Sequence, residues 1–177
     1  VGIMLALAAI GCYFNGFKFG YPKYYHRWDQ YHYYMGAKYF PELGYKYLYR
    51  CAVVAEYELG TVRAEFDKAE GAKFAPARDI NMRAEMQDPD KKVRDLPSEY
   101  ADKYGGRNLL VPVQDILAHP EKCVDLFSKP RWAQYKEDVK FFRIASGKGY
   151  WTDMQKDHGF NPPPVWTIAG KWFSDLS

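Results

Sequence analysis

The residues with the clearest chemical potential sit in two short stretches. YYHRWDQYHYYMGAKYF, residues 24–40, holds His26, Asp29 and His32, and KDHGFNPPPVW, residues 156–166, holds Asp157 and His158. In a helix Asp29 and His32, three positions apart, share a face, an arrangement that suits a proton relay or part of a metal site. His26 and His32 are six apart and leave a common face unless the helix bends. An imidazole at a membrane edge can ligate haem or a pigment, which makes His26 and His32 the cofactor-binding candidates. The simpler reading is that Asp29 caps a helix and the histidines sit hydrated among tyrosines.

Other chemistries lack their usual signatures. There is no GxSxG, P-loop, dinucleotide fingerprint, HExxH or CxxCH, so serine hydrolase, nucleotide, zincin and c-haem readings have no motif behind them. Asp88-Pro89-Asp90 with Asp95 lacks the glycine and terminal glutamate of a calcium loop and reads as a solvated turn. No metal and no resident cofactor are expected. A net charge of +3 with no basic run on a recognisable module argues against a nucleic-acid partner. Cys12, Cys51 and Cys123 show no metal-ligand spacing, and a Cys51–Cys123 bond is left open.

The elements that must position these residues begin with VGIMLALAAIGCYF, fourteen residues without a charge. As a helix they span about 21 Å, short of the roughly 30 Å hydrocarbon core. The expectation is a transmembrane helix over 1–21 whose first turns lie upstream of Val1. Half of the chain's 32 aromatic residues fall between Tyr13 and Tyr49. Tyr13, Phe17, Tyr21, Tyr24, Tyr25 and Trp28, with Lys18, then form an interfacial collar, rings among headgroups and polar tips in water. Residues 18–50 carry six basic against two acidic side chains, a surplus of four positive charges. By charge alone that surplus would place this side in the cytoplasm.

Residues 22–177 read as a small, mostly helical extramembrane domain. Asp29 is expected to cap a helix to about Tyr39, with Tyr31, Tyr34, Met35 and Tyr39 as its packed stripe and Pro41 and Gly44 as its stop. YKYLYRCAVVAEYEL, residues 45–59, reads as a second helix, paired with the first as a helical hairpin and closed by Gly60. Residues 61–112 read as a long, solvated connection with a short hairpin around 61–75 and 77–86. Helical patterning returns at Val113. It is interrupted by Pro120 and resumes from Ser128 and Pro130 with Trp132, Tyr135, Val139, Phe142 and Ile144 approximating an apolar face. Gly147 and Gly149 break that helix, a short one follows over 150–158, and VWTIAGKWF, residues 165–173, is apolar enough to lie on a membrane or lead into it.

HRWDQYHYYMGAKYFPELGYKYLYRCAVVAE together with KDHGFNPPPVW resembles the N-terminal portion of uncharacterised bacterial polytopic membrane proteins. Their layout is similar to membrane glycosyltransferases of the GT-C class. The resemblance implies that Asp29, just after the first span, is catalytic, that a polyprenyl-phosphate sugar is the donor, and that the soluble part lies on the extracytoplasmic side. Such a donor site needs many membrane helices. With one apolar span and no complete site, the expected function is therefore a non-catalytic, membrane-anchored accessory subunit of a bacterial inner-membrane complex. A photosynthetic or respiratory host fits that expectation, with other membrane subunits and lipid as partners and the soluble part in the periplasm.

Overall fold

A computed structural model of the chain describes residues 2–13, 27–64, 78–95, 109–157 and 168–172. The described residues are mainly helical. Helix α1, Gly2–Tyr13, is apolar on every side, with Ile3, Met4, Leu5 and Leu7 all exposed. It contributes no residue to either hydrophobic cluster of the described residues. No helix among the described residues is long and apolar enough to cross a membrane, so the structure does not show the expected transmembrane helix over 1–21. Phe17, Lys18, Tyr21, Tyr24, Tyr25 and His26 lie outside the described residues.

The first helix of the domain departs from its expected form. Asp29 lies inside α2, Arg27–Gln30, rather than at its cap. The backbone then widens into a π turn over Tyr31–Met35 before α3, Gly36–Lys38, and α4, Phe40–Leu43. A π turn inserts one extra residue into a helical turn and rotates the succeeding residues about the helix axis. Its effect is visible in burial: the neighbours Tyr31 and His32 both point inward, Met35 and residues 36–39 are buried as well, and Tyr34 is only partly covered. Gly44, at φ +53, allows the turn that ends this run.

Helix α5, Leu48–Leu59, is the centre of the fold, with Leu48 through Glu56 buried without interruption. The long helix α9, Lys129–Ser146, packs along it through Trp132, Tyr135, Val139 and Phe142, while Ile144 packs against the second, smaller cluster. Pro130 in the first turn and Gly147, at φ +74, bound α9 as the sequence suggests. The two short helices before it, α7 at Val113–Leu117 and α8 at Glu121–Val124, flank Pro120. Cys51 on α5 and Cys123 on α8 form a disulfide with Cα atoms 5.3 Å apart, both sulfurs in the core.

The stretch 61–112 contains regular structure rather than a long loop. Strands β1, Thr61–Ala64, and β2, Arg78–Asn81, pair antiparallel with Val62 opposite Ile80. The hairpin is thus present, but its second strand stops at Asn81, whose side chain accepts from the Ala84 amide and caps α6, Met82–Met86. Strands β3, Lys92–Asp95, and β4, Leu109–Pro112, form a second antiparallel pair, with Val93 and Val111 both buried. Four-residue strands give too few alternations to stand out in the sequence. Helix α10, Lys148–Met154, begins at Gly147 and contains Gly149, so only the first of those two glycines is a break. Residues 168–172 are helical, with Ile168 and Trp172 largely exposed.

Candidate functional site

The two stretches that hold the chemical candidates meet in space. The Trp28 indole Nε1–H donates to Asp157 Oδ2 at 2.6 Å, across 129 residues. Tyr150 meets the Trp28 ring edge-on at 5.6 Å. Arg27 lies over the Tyr150 ring and donates to the Ala145 carbonyl at the end of α9. From β3, the Arg94 amide donates to the Gln155 carbonyl at 2.7 Å, and its guanidinium donates to the carbonyls of Lys156 and Asp157. Arg27–Trp28 and Gln155–Asp157, at the edges of two described segments, are therefore latched side by side.

His32 sits just beneath this latch. Its Nδ1 is 2.8 Å from the Trp28 carbonyl and its Nε2 is 2.7 Å from the Tyr49 hydroxyl. A carbonyl only accepts, so Nδ1 carries the proton, and in the neutral ring Nε2 accepts from Tyr49. Asp157 Oδ2 is 3.9 Å from Nε2. Burial pulls the imidazole below its ordinary value of 6.5, against the upward pull of the Trp28 carbonyl, Asp157 and Asp29. The folded domain thus favours the neutral ring. That contribution is present above pH 6.5 and is lost as the pH falls toward the lowered folded value, because the unfolded chain takes up the proton first. Stability followed by thermal unfolding should decline on acidification below 6.5, and His32→Gln should flatten that decline.

This geometry bears on each of the sequence candidates. Asp29 is exposed while His32 is buried, so the π turn separates the two that an ordinary helix would align. Both His32 nitrogens are engaged inside the fold, and ligation of haem or pigment would require displacing Tyr49. Trp28 is half-buried against the core and tied to Asp157. Tyr13 ends α1. Asp88 accepts from the Asp90 amide in a local turn, and no group of three or more potential metal ligands occurs among the described residues.

A second polar cluster lies deeper, one layer inside the latch. Glu56 on α5 is fully buried and accepts from the Trp151 indole at 2.8 Å. Arg143 on α9, 1% exposed, places Nε 3.7 Å from Glu56 Oε2 and donates from Nη2 to both carboxylate oxygens of Glu85 on α6, at 2.9 and 2.8 Å. Tyr31 stacks edge-on against both Trp151 and His32, joining the two layers. Burial pushes the Tyr31 hydroxyl up, opposed by the nearby Gln155 amide. The Tyr31 hydroxyl, Glu56 Oε2, Arg143 Nε and Nη1, and both polar atoms of the Gln155 amide have no hydrogen-bond partner among the described residues.

Burial raises the Glu56 carboxyl, and Lys91, the Trp151 N–H and Arg143 only partly restrain it. Lys91 is itself pushed down by burial, against the attraction of Glu56 and Glu85. For an acid raised in the folded state, stability is fully present below the unfolded value of 4.5 and is lost as the pH rises through the folded one. Glu56→Gln should abolish that loss, so thermal midpoints of wild type and variant should diverge with rising pH. The slope is opposite in sign to that of His32.

Glu56, Glu85, Arg143 and Gln155 were not among the residues the sequence singled out. Glu56 stands four residues after Ala52 and Arg143 four after Val139, each on the ridge of a core residue. A charge on such a ridge is the available signal for a buried partner. Gln155 stands four residues after the core residue Trp151 in the same way. Compared with protein-family models, with curated proteins and with solved structures, the chain matches none.

Proposed function

We propose that this chain is a membrane-anchored, non-catalytic accessory subunit of a larger bacterial membrane complex, its folded domain held on the extracytoplasmic side. The observation behind this reading is the latch. Trp28 and Asp157 are held together, and apolar sequence lies on both sides of the segment they bracket, α1 before and 165–173 after. Such a domain is suited to being carried on a membrane by both its ends. The exposed apolar side chains of α1 and residues 168–172 have a natural solvent in lipid. The buried Cys51–Cys123 bond favours an oxidising compartment such as the periplasm. Tagged full-length chain extracted from bacterial membranes in mild detergent should purify with other membrane subunits in fixed stoichiometry. Recovery solely as an isolated monomer would overturn the reading.

A second reading, an N-terminal part of a GT-C-like glycosyltransferase with Asp29 catalytic, is favoured by one observation. Asp29 is exposed and adjacent to Trp28, at the point where the two resembling stretches touch. In that case the longer protein that contains this chain should transfer sugar from a polyprenyl-phosphate donor, and Asp29→Asn should abolish transfer without lowering the thermal midpoint. No transfer by that longer wild-type protein would rule it out.

A further inference from the structure

Six polar atoms of the deeper cluster have no hydrogen-bond partner among the described residues: the Tyr31 hydroxyl, Glu56 Oε2, Nε and Nη1 of Arg143, and the oxygen and nitrogen of the Gln155 amide. Their four residues are at most 1% exposed. A buried donor or acceptor left unbonded is costly, and folded proteins satisfy nearly all of them, with ordered water where no protein group serves. The six come from four elements, the π turn, α5, α9 and the residue that ends α10.

These atoms also converge. Trp151 sets the frame, since its indole donates to Glu56 Oε1 at 2.8 Å while its ring lies 4.9 Å from that of Tyr31. Arg143 Nε stands 3.7 Å from Glu56 Oε2, beyond hydrogen-bond length. The Gln155 amide is near enough to the Tyr31 hydroxyl to act on its ionisation, as Glu56 is, yet neither completes a bond to it. The groups face one another without touching.

We propose that these side chains form an internal hydration site in which buried water bridges Tyr31, Glu56, Arg143 and Gln155. The chemistry of the six atoms selects water over an ion. Arg143 Nε and Nη1 and the Gln155 nitrogen donate, Glu56 Oε2 and the Gln155 oxygen accept, and the Tyr31 hydroxyl does either. An anion would oppose the acceptors and a cation the donors, whereas water serves both. Formal charge agrees: Glu56 and Glu85 stand against Arg143 and Lys91, with no surplus to hold an ion. A buried water makes about three hydrogen bonds, so six atoms call for about two waters. The site goes beyond the membrane reading and is independent of it. It joins the π turn that carries His32 to α5, α9 and the end of α10.

A crystal structure of the full-length chain, at a resolution that orders internal water, tests the site. Water is expected within hydrogen-bond distance of both Glu56 Oε2 and an Arg143 nitrogen, and again between the Tyr31 hydroxyl and the Gln155 amide. Direct Arg143–Glu56 and Tyr31–Gln155 bonds with no water between them would overturn the proposal. So would an ion, or another side chain of the protein, at that position. In solution, oxygen-17 magnetic relaxation dispersion counts the waters held inside the folded chain. Gln155→Met and, as a second variant, Tyr31→Phe should each lower that count by about one relative to wild type. An unchanged count in a variant that circular dichroism shows to be folded would overturn it as well.

Discussion

Replacing Arg143 by Ala is expected to lower the unfolding free energy by about 3–5 kcal/mol, the usual loss when one partner of a buried ion pair is removed. The guanidinium is 1% exposed and is the cation hydrogen-bonded to Glu85, with its Nε 3.7 Å from Glu56. Without it, two carboxylates on α6 and α5 face a side-chain-sized gap, and α9 loses its polar tie to both helices. Urea unfolding at neutral pH measures the effect. Combining Arg143→Met with Glu56→Gln should recover part of the loss, because the fully buried Glu56 carboxylate is then replaced by an amide, while Glu85 keeps Lys148 at 4.0 Å. A loss below about 1 kcal/mol for Arg143→Ala would mean that the cluster contributes little to holding the helices together.

Removing the disulfide with the double variant Cys51→Ala, Cys123→Ala is expected to cost about 4 kcal/mol. The bond closes a loop spanning 72 residues, and the loop-entropy relation gives about that figure for such a length. It joins α5, the buried centre of the domain, to α8, a helix of four residues that has little cohesion of its own. Both sulfurs are buried, so the folded protein should also resist mild reductants, and reduction should proceed through unfolding. The comparison is unfolding of wild type and variant with and without reductant. A variant as stable as the oxidised wild type would remove the disulfide from the account of the fold.

The helices with several turns of regular pattern were the legible part of this chain. Trp132, Tyr135, Val139 and Phe142 mark the buried face of α9 by spacing alone, and Pro130 and Gly147 mark its ends. In the Tyr31–Met35 region the same spacing gave the right face, since Tyr31, Met35 and Tyr39 are buried and Tyr34 packs against the core, but it did not show that His32 is buried beside them. Nothing in YHYYM announces a π turn, and a π turn is what buries His32 beside Tyr31 and leaves Asp29 outside. The pairing of Trp28 with Asp157 was beyond reach for a different reason: a contact across 129 residues depends on how every intervening element packs. The second strand pair is similar, since Lys92–Asp95 and Leu109–Pro112 become strands only because each supplies the other's hydrogen bonds. Glu56 and Arg143 stood on apolar ridges in plain view, yet each reads as a solvated charge until its partner is placed opposite.

The central claim is that the latched domain is carried on a membrane by its apolar flanks. Flotation of the full-length chain with phosphatidylethanolamine and phosphatidylglycerol vesicles, before and after an alkaline carbonate wash, tests it most directly. The full-length chain is expected to rise with the vesicles and stay with them through the wash, whereas a chain lacking residues 2–13 and 165–173 remains at the bottom of the gradient. A full-length chain that stays at the bottom without any wash would contradict the claim.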